Sequence, residues 1–247
     1  MALKSTVINF HAIYDSVWME RVFLLLKRKY QLISLEELSD FYYKGVQLKN
    51  SCHITFDDGD VSFYETVLPI LRKHNIPVSL YVSPYATKEQ QNFWFQEIRE
   101  YDKKLLSKFV AEYIQLNSIE EYPLSALLKT LPIDTLWKII YEYREQTGTK
   151  PVSCMNMDVE QLKEVHSSGL VTIGAHTMRH PILKNESDES SYKEISDSVI
   201  QLSEILGEKI EYFAYPNGDP ELDFSQREMN ALKNLGIKLA FSTENRY

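Results

Sequence analysis

The sequence predicts an α/β fold, and a barrel of parallel strands, complete or incomplete, fits it better than an open sheet. Three observations support this prediction. Short β-prone runs alternate with amphipathic helical runs, which is typical of parallel strands joined by crossover helices. About seven strands can be counted along the chain. The residues best suited to chemistry follow directly after predicted strands, where an α/β barrel carries its active site.

The first third of the chain shows this alternation clearly. A capping box, Ser34-x-x-Glu37, opens one helix, and Pro69 is expected to kink another. The predicted elements are a strand over 6–11, a helix over 17–29, a helix over 34–43, a strand over 53–56, a helix over 61–74 and a strand over 78–82.

Residues 86–150 interrupt the alternation. They are rich in Glu, Lys, Leu and Tyr and show helical spacing, with breaks at Pro123 and Pro132. We therefore predict a helical insertion, serving as a lid or a dimer surface, within a single domain that spans residues 1–247.

The alternation resumes after residue 150. Asp158-x-x-Gln161 can cap a helix that ends near Ser167, and Gly207 and Gly236 are expected to stop two later helices. The predicted strands are 170–175, 211–215 and 238–241, and the predicted helices between them are 192–206 and 223–235.

The composition excludes several classes of protein. A chain of 247 residues with 44% hydrophobic content can bury a large core, so global disorder is not expected. A net charge of −8 without a Lys/Arg run argues against nucleic-acid binding. No apolar run is long enough to span a bilayer and no secretory leader is visible, so we expect a cytoplasmic protein without an integral membrane segment.

The stretch T-F-D-D-G places two adjacent carboxylates, Asp57 and Asp58, between a strand and a helix. Adjacent carboxylates repel each other when both are ionised. A helix N-cap would explain one of them but not both. A bound cation explains both because its charge offsets the repulsion.

Two more motifs follow later strands. In G-A-H-T-M-R-H-P, His176 and His180 are four residues apart, so a helical turn would place both rings on one face to share a metal. A pair of structural histidines is the alternative, and an aspartate that completes a 2-His-1-carboxylate set weighs against it. The third motif, F-A-Y-P-N-G (213–218), is a turn on its own chemistry and gains meaning only beside the other two.

Together these three motifs, in this order, resemble those of the polysaccharide deacetylases of carbohydrate esterase family 4, the NodB-like domain. The resemblance covers roughly residues 5–85 and 150–243. It implies a distorted (β/α) barrel of about seven strands, a divalent metal that is most often zinc, and hydrolytic removal of acetyl groups from sugars. It also implies that Asp57 is the catalytic base and that Asp58, His176 and His180 are metal ligands.

The chain departs from the family pattern at several positions. Ala214 stands where many relatives carry an arginine that orients the catalytic aspartate, and Asn217 stands where many carry Tyr or Phe. The resemblance implies that the backbone N–H of Asn217 binds the oxyanion. Relatives often carry a late histidine as general acid, whereas this sequence has no histidine after His180. His11 is the substitute that we consider, and a packed or supporting histidine is the alternative.

The main functional hypothesis is a metal-dependent hydrolase that removes N-acetyl groups from a sugar or polysaccharide, in surface-glycan biosynthesis. A metal-dependent amidase or O-acetyl esterase acting on a small molecule is one alternative, and a narrow pocket would favour it. A catalytically weak glycan-binding relic is the other, although the intact Asp57 weighs against it. Trp94, within N-F-W-F-Q (92–96), is expected either to line a sugar cleft or to belong to the core.

Overall fold

The protein is built on a single sheet of parallel strands. The computed structural model describes residues 4–115 and 122–244, so residues 1–3 and 245–247 of the predicted domain and 116–121 of the predicted insertion lie outside the described residues. Within these ranges the sheet has seven strands. They are β1 (Thr6–Phe10), β2 (Gln31–Leu32), β3 (Ser51–Phe56), β4 (Val78–Val82), β5 (Val171–Ala175), β6 (Tyr212–Ala214) and β7 (Leu239–Phe241).

The strand order is β1-β3-β4-β5-β6-β7, and β2 pairs beside the start of β3. All pairs are parallel, and the sheet curls into a half-barrel whose described edges are β1 and β7. The prediction of a distorted barrel of about seven strands is confirmed. β2 was not predicted, since two residues form too short a run to give a pattern.

Helices connect the strands. Those that alternate with the strands are α1 (Ser16–Lys29), α2 (Leu35–Lys44), α3 (Leu68–His74), α9 (Val159–Ser167), α10 (Asp188–Leu206) and α11 (Gln226–Asn234). The predicted helical run over 61–74 forms without a break, and Pro69 lies inside it. This proline lies in the first turn of α3, directly after a π-helical turn over Phe63–Val67, where a missing N–H costs little.

Between β4 and α9 the described chain forms no strand, only loops and helices. The α-helices are α4 (Pro84–Glu89), α5 (Trp94–Glu97), α6 (Lys103–Ile114), α7 (Leu124–Leu128) and α8 (Ile133–Thr147). We call this part, residues 84–115 and 122–147, the helical segment. It has a hydrophobic cluster of its own, centred on residues such as Leu106, Val110 and Ile140, separate from the core beneath the sheet.

The main core lies between the convex face of the sheet and its crossover helices. Every residue of β3 and β4 is buried, as expected for central strands of a parallel sheet. Met19, Phe23 and Leu26 fix α1 on this core. A smaller cluster fills the concave side, where Ile33 and Leu38 meet Tyr81. No helix in the described ranges is long and apolar enough to cross a bilayer.

Candidate active site

The six side chains predicted to form the site all line one groove. Each lies after the carboxyl end of a strand, and parallel strands bring those ends to the same side of a barrel. The residues are His11 after β1, Asp57 and Asp58 after β3, His176 and His180 after β5, and Asn217 after β6.

Asp58 faces two imidazole rings. Its Oδ1 lies 3.7 Å from His176 Nε2 and 3.5 Å from His180 Nε2. The residue is buried, and Oδ1 has no hydrogen-bond partner within the described part of the chain. The backbone of Asp58 is left-handed, with φ 76°, so its carboxylate leaves the chain in a direction that extended backbone would not give.

The backbone fixes the ring of His176. Its Nδ1 lies 2.8 Å from the carbonyl oxygen of Ala214, which makes Nδ1 the donor and leaves the lone pair on Nε2, the atom that faces Asp58. Ser83 Oγ donates to the His176 carbonyl, and the His176 N–H donates to the Val82 carbonyl. Ala214 therefore contributes its backbone to the site, although its side chain cannot replace an arginine.

The expected helical turn between the two histidines does not form. Thr177 and His180 have φ values of 61° and 59°, which no right-handed turn allows, and the His180 N–H donates to Thr177 Oγ1 at 3.1 Å. An irregular loop nevertheless brings the rings together, with centroids 4.9 Å apart. We call residues 176–180 the histidine loop.

Glu194 of α10 holds the histidine loop from behind. Its carboxylate accepts from the Arg179 N–H at 2.9 Å and from Arg179 Nε at 2.7 Å, and its own carbonyl accepts from the Met178 N–H. Arg179 also pairs with Asp134 at the start of α8. The histidine loop is thus tied both to the barrel and to the helical segment.

Aromatic rings from the helical segment cover His180. The ring centroids of Phe93 and Phe95 lie 5.3 Å and 5.0 Å from that of His180. Trp94 is 4% exposed and packs in the core of the helical segment, yet it also lines the groove. The prediction that Trp94 belongs to a core is confirmed, and its role in a sugar cleft stays a prediction.

Asp57 is oriented by β1. Its Oδ2 accepts from Asn9 Nδ2 at 2.7 Å, and Asn9 Oδ1 in turn accepts from Thr55 Oγ1 at 2.9 Å. Asp57 Oδ1 has no partner among the described residues. Asn9 was missed by sequence reasoning, although a polar residue inside the apolar run V-I-N-F was a signal that it has a specific task.

His11 faces Asp57 across the groove. Its Nε2 lies 3.9 Å from Asp57 Oδ2, and its side chain is 59% exposed. An imidazole this exposed is not packed in a core, which leaves a supporting role beside Asp57 as the alternative for His11. It is positioned to meet a molecule bound in the groove.

Asn217 lies on the turn that follows β6. It has a left-handed backbone with φ 56°, and its N–H donates to no acceptor among the described residues. The buried Nδ2 also has no partner there. A free backbone N–H at the groove is what an oxyanion-binding role requires.

Burial dominates the electrostatics of the site. It raises the pKa of Asp57 to about 6, although His11 and Asn9 act in the opposite direction, and it raises the pKa of Asp58 to about 7 against the effect of His176. Burial lowers the pKa of His176 and His180, so both imidazoles are neutral near pH 7. Neutral imidazoles are the form that binds metals.

The residues around Asp58 fit a metal ion. Asp58, His176 and His180 offer ligand atoms that all lie within 4.8 Å of one another. Two ligand atoms of a tetrahedral zinc site lie about 3.4 Å apart, close to the distances measured from Asp58 Oδ1. The buried Oδ1 is an acceptor without a protein donor, and a cation would satisfy it and lower the pKa of Asp58. These three side chains can therefore hold a metal.

The groove around this site is large. Its volume is about 1810 Å³, and it runs from the histidine loop along the gap between β1 and β7. The helical segment supplies one wall, including Phe95, Arg99 and Leu124. The same cavity reaches residues at the amino ends of β1 and β3, such as Lys4 and Asn50, so it extends beyond the metal ligands.

Comparison with known proteins connects this geometry to a family. A family model described as polysaccharide deacetylase matches residues 44–240, which include the three motifs and exclude Asn9 and His11. No curated protein sequence matches the chain.

Several solved structures share the fold. IcaB from Ammonifex degensii is 19% identical, with a TM-score of 0.64 over 96% of this chain and 83% of that one. The de-N-acetylase from Aggregatibacter actinomycetemcomitans is 16% identical, with a TM-score of 0.62 over 96% and 87%. The deacetylase PplD from Streptococcus pyogenes is 17% identical, with a TM-score of 0.61 over 98% and 85%.

Proposed function

The chain belongs to the polysaccharide deacetylase family of enzymes, and from this premise we propose that it is a metal-dependent hydrolase that removes N-acetyl groups from an N-acetylated glycan. One observation carries the proposal: the two adjacent carboxylates have separate surroundings. Asp58 faces two histidine nitrogens, whereas Asp57 faces the groove and is held by Asn9. The surroundings of Asp58 suit a metal ligand, and those of Asp57 suit a group that accepts a proton.

Asp58 Oδ1, His176 Nε2 and His180 Nε2 would hold the ion, and zinc suits a set of two neutral imidazoles and one carboxylate. When bound, a divalent ion polarises the acetyl carbonyl and lowers the pKa of water. Asp57 then acts as the general base and takes the proton of the attacking water on Oδ1, the oxygen that has no protein donor.

His11 is the general acid in this proposal. Its exposed Nε2 lies on the groove side of Asp57, where it can donate a proton to the leaving amine nitrogen. The backbone N–H of Asn217 would donate to the oxyanion of the tetrahedral intermediate. The hydrogen-bonded pair Asn9–Asp57 holds the base in place, a task that an arginine at position 214 fulfils in many relatives.

The names of similar proteins and the shape of the groove support a glycan substrate. The A. actinomycetemcomitans protein is named a de-N-acetylase. The open groove favours a polysaccharide over the small-molecule alternative. The network from Thr55 through Asn9 to Asp57 weighs against a binding relic, because binding alone does not need an oriented base.

The test is acetate release from a panel of N-acetylated oligosaccharides by the zinc-loaded protein. Asp57→Asn should abolish turnover and leave zinc content unchanged, whereas His176→Ala should lose zinc. His11→Ala should lower kcat by about 10²- to 10⁴-fold with zinc content unchanged, as expected when a general acid is removed. His166→Ala, outside the groove, is the matched control.

Turnover by Asp57→Asn at the wild-type rate would refute the assignment of the base. If the protein binds zinc but releases no acetate from any glycan, the assignment of the metal site stands and the proposed activity is rejected.

A further inference from the structure

The outward side of α1 is unusually apolar for an exposed helix of a barrel. Val17, Trp18, Leu24 and Leu25 have exposed fractions of 58%, 48%, 39% and 43%. At about 100° per residue, these four side chains and Arg21 and Arg28 fall within roughly 120° of one another, opposite the buried residues. We call these six residues the α1 face. Exposed apolar patches of this kind mark interaction surfaces.

The charge of the α1 face opposes that of the chain. Formal net charge is −8 overall, yet Arg21 and Arg28 lie among the apolar side chains, and neither forms an ion pair with any residue of the described ranges. The acidic residue of this helix, Glu20, lies to one side and pairs with Lys73 and His74 of α3. The face therefore presents uncompensated positive charge.

The α1 face begins beside the mouth of the groove. α1 follows β1, so its first turn lies at the end of the barrel that carries the metal ligands. Tyr14, just before the helix, donates to Asp60 Oδ2 at 3.1 Å, two residues from Asp58. The ring of Trp18 lies 6.3 Å from that of Phe10, at the end of β1. A surface bound to this face would lie next to the groove.

We propose that the α1 face docks the protein on an anionic lipid surface. Trp18, Leu24 and Leu25 would enter the interface between headgroups and acyl chains, and Arg21 and Arg28 would contact lipid phosphates. A helix with aromatic and leucine side chains beside basic ones has the composition of interfacial helices. This inference concerns binding and does not rest on the proposed deacetylation.

The charge of the α1 face favours a lipid surface over a second copy of the chain as the binding partner. Docking two α1 faces on each other would bring four arginines together without described acidic partners, and like charges at an interface are unfavourable. An anionic bilayer satisfies the apolar and the basic side chains at the same time. Each basic side chain near such a surface contributes about a fivefold gain in binding.

Trp18 provides the readout. The other two tryptophans, Trp94 and Trp137, are 4% and 9% exposed, so a change in emission on vesicle binding reports mainly on Trp18. The full chain is mixed with vesicles of phosphatidylcholine alone or with added phosphatidylglycerol. We expect a blue shift and co-sedimentation with the anionic vesicles, both weakened by high salt.

Two variants test the two components. Arg21→Gln/Arg28→Gln should lower the partition coefficient for anionic vesicles roughly 30-fold, from two lost basic contacts. Leu24→Ser/Leu25→Ser should also lose binding. The matched control is Tyr192→Ser/Ile200→Ser on α10, where the wild-type side chains are 49% and 50% exposed, and it should bind as the wild type does.

Far-UV circular dichroism and thermal unfolding establish that each variant is folded. Absence of binding to anionic vesicles would overturn the proposal, as would equal losses in the α10 control. A concentration-dependent dimer that disappears in the leucine variant would also overturn it and assign the face to self-association. Because the readout needs no substrate, failure of the deacetylase proposal would leave this result intact.

Discussion

Replacement of Gly174 by alanine should disturb both stability and the candidate metal site. Gly174 lies in β5, two residues before His176, and pairs with Tyr81 across the sheet. An added Cβ would lie 2.4 Å and 2.5 Å from two ring carbons of Tyr81 and 2.9 Å from the carbonyl oxygen of Tyr212. Contacts this short do not occur, so the neighbours or β5 itself must move.

Neither neighbour of Gly174 can move easily. Tyr81 is fully buried and its hydroxyl accepts a hydrogen bond from Ser79, while the second contact is backbone. Overpacking of a core usually costs about 1–3 kcal/mol, and two rigid neighbours place Gly174→Ala near the upper end. For a chain of this size, about 3 kcal/mol corresponds to a fall in Tm of roughly 6–12 °C.

The assay is denaturant and thermal unfolding beside zinc titration. Gly148→Ala is the control, because its Cβ would meet no atom within 4 Å and its only cost is a left-handed φ of 70°, about 1 kcal/mol. If β5 shifts to accommodate the alanine, His176 shifts with it and zinc affinity falls. If Gly174→Ala loses no more stability than Gly148→Ala, the inference that Gly174 is closely packed against its neighbours is refuted.

The remaining predictions concern single side chains. Glu194→Ala should weaken zinc binding about 10- to 100-fold, because Arg179 loses the acceptor that fixes the histidine loop. Glu194→Gln keeps an acceptor oxygen and should lose less zinc affinity. Zinc titration of both variants tests this prediction. Asn9→Ala should lower kcat at least about tenfold with unchanged zinc content, because Asp57 loses the donor that orients it, and normal kcat would contradict this role. Burial alone would raise the pKa of Glu228, yet hydrogen bonds, that from Ser191 first, lower it overall. The ionised Glu228 should therefore stabilise the fold fully above the ordinary glutamate pKa, and this stabilisation should disappear as pH falls through the lower pKa of the folded protein. The free energies of unfolding of the wild type and Glu228→Gln should differ at pH 7 and converge in acid.

Local patterns were sufficient to predict most of the fold. The strands are short apolar runs and the helices carry caps, such as Ser34 with Glu37, that the sequence displays directly. Helix α10 begins at Asp188, four residues earlier than predicted, because the cap at Ser187 lies in a polar stretch without apolar spacing. Predicted helix ends are inaccurate where the end is set by a single capping side chain rather than by the periodic spacing of apolar residues.

The site was predictable where motifs mark it and not where it depends on register. Asp58 and both histidines lie in quoted motifs, and the barrel brings them together. Asn9 reaches Asp57 only because β1 pairs with β3 so that Asn9 lies beside Thr55, a contact between residues 46 positions apart. No local pattern contains that pairing, nor the left-handed backbone of Thr177 that replaces the expected helical turn.

The two adjacent aspartates can now be understood through backbone geometry. A left-handed φ at Asp58 accompanies a carboxylate that faces the histidines, while the carboxylate of Asp57 is bound by Asn9, so the two side chains have different partners. Non-glycine residues in this conformation cost about 1–3 kcal/mol, and a buried carboxylate oxygen without a donor costs a similar amount. The described residues offer no interaction that offsets both costs. A cation bound by Asp58, His176 and His180 would offset them, and that requirement connects the strained turn after β3 to the histidine loop after β5.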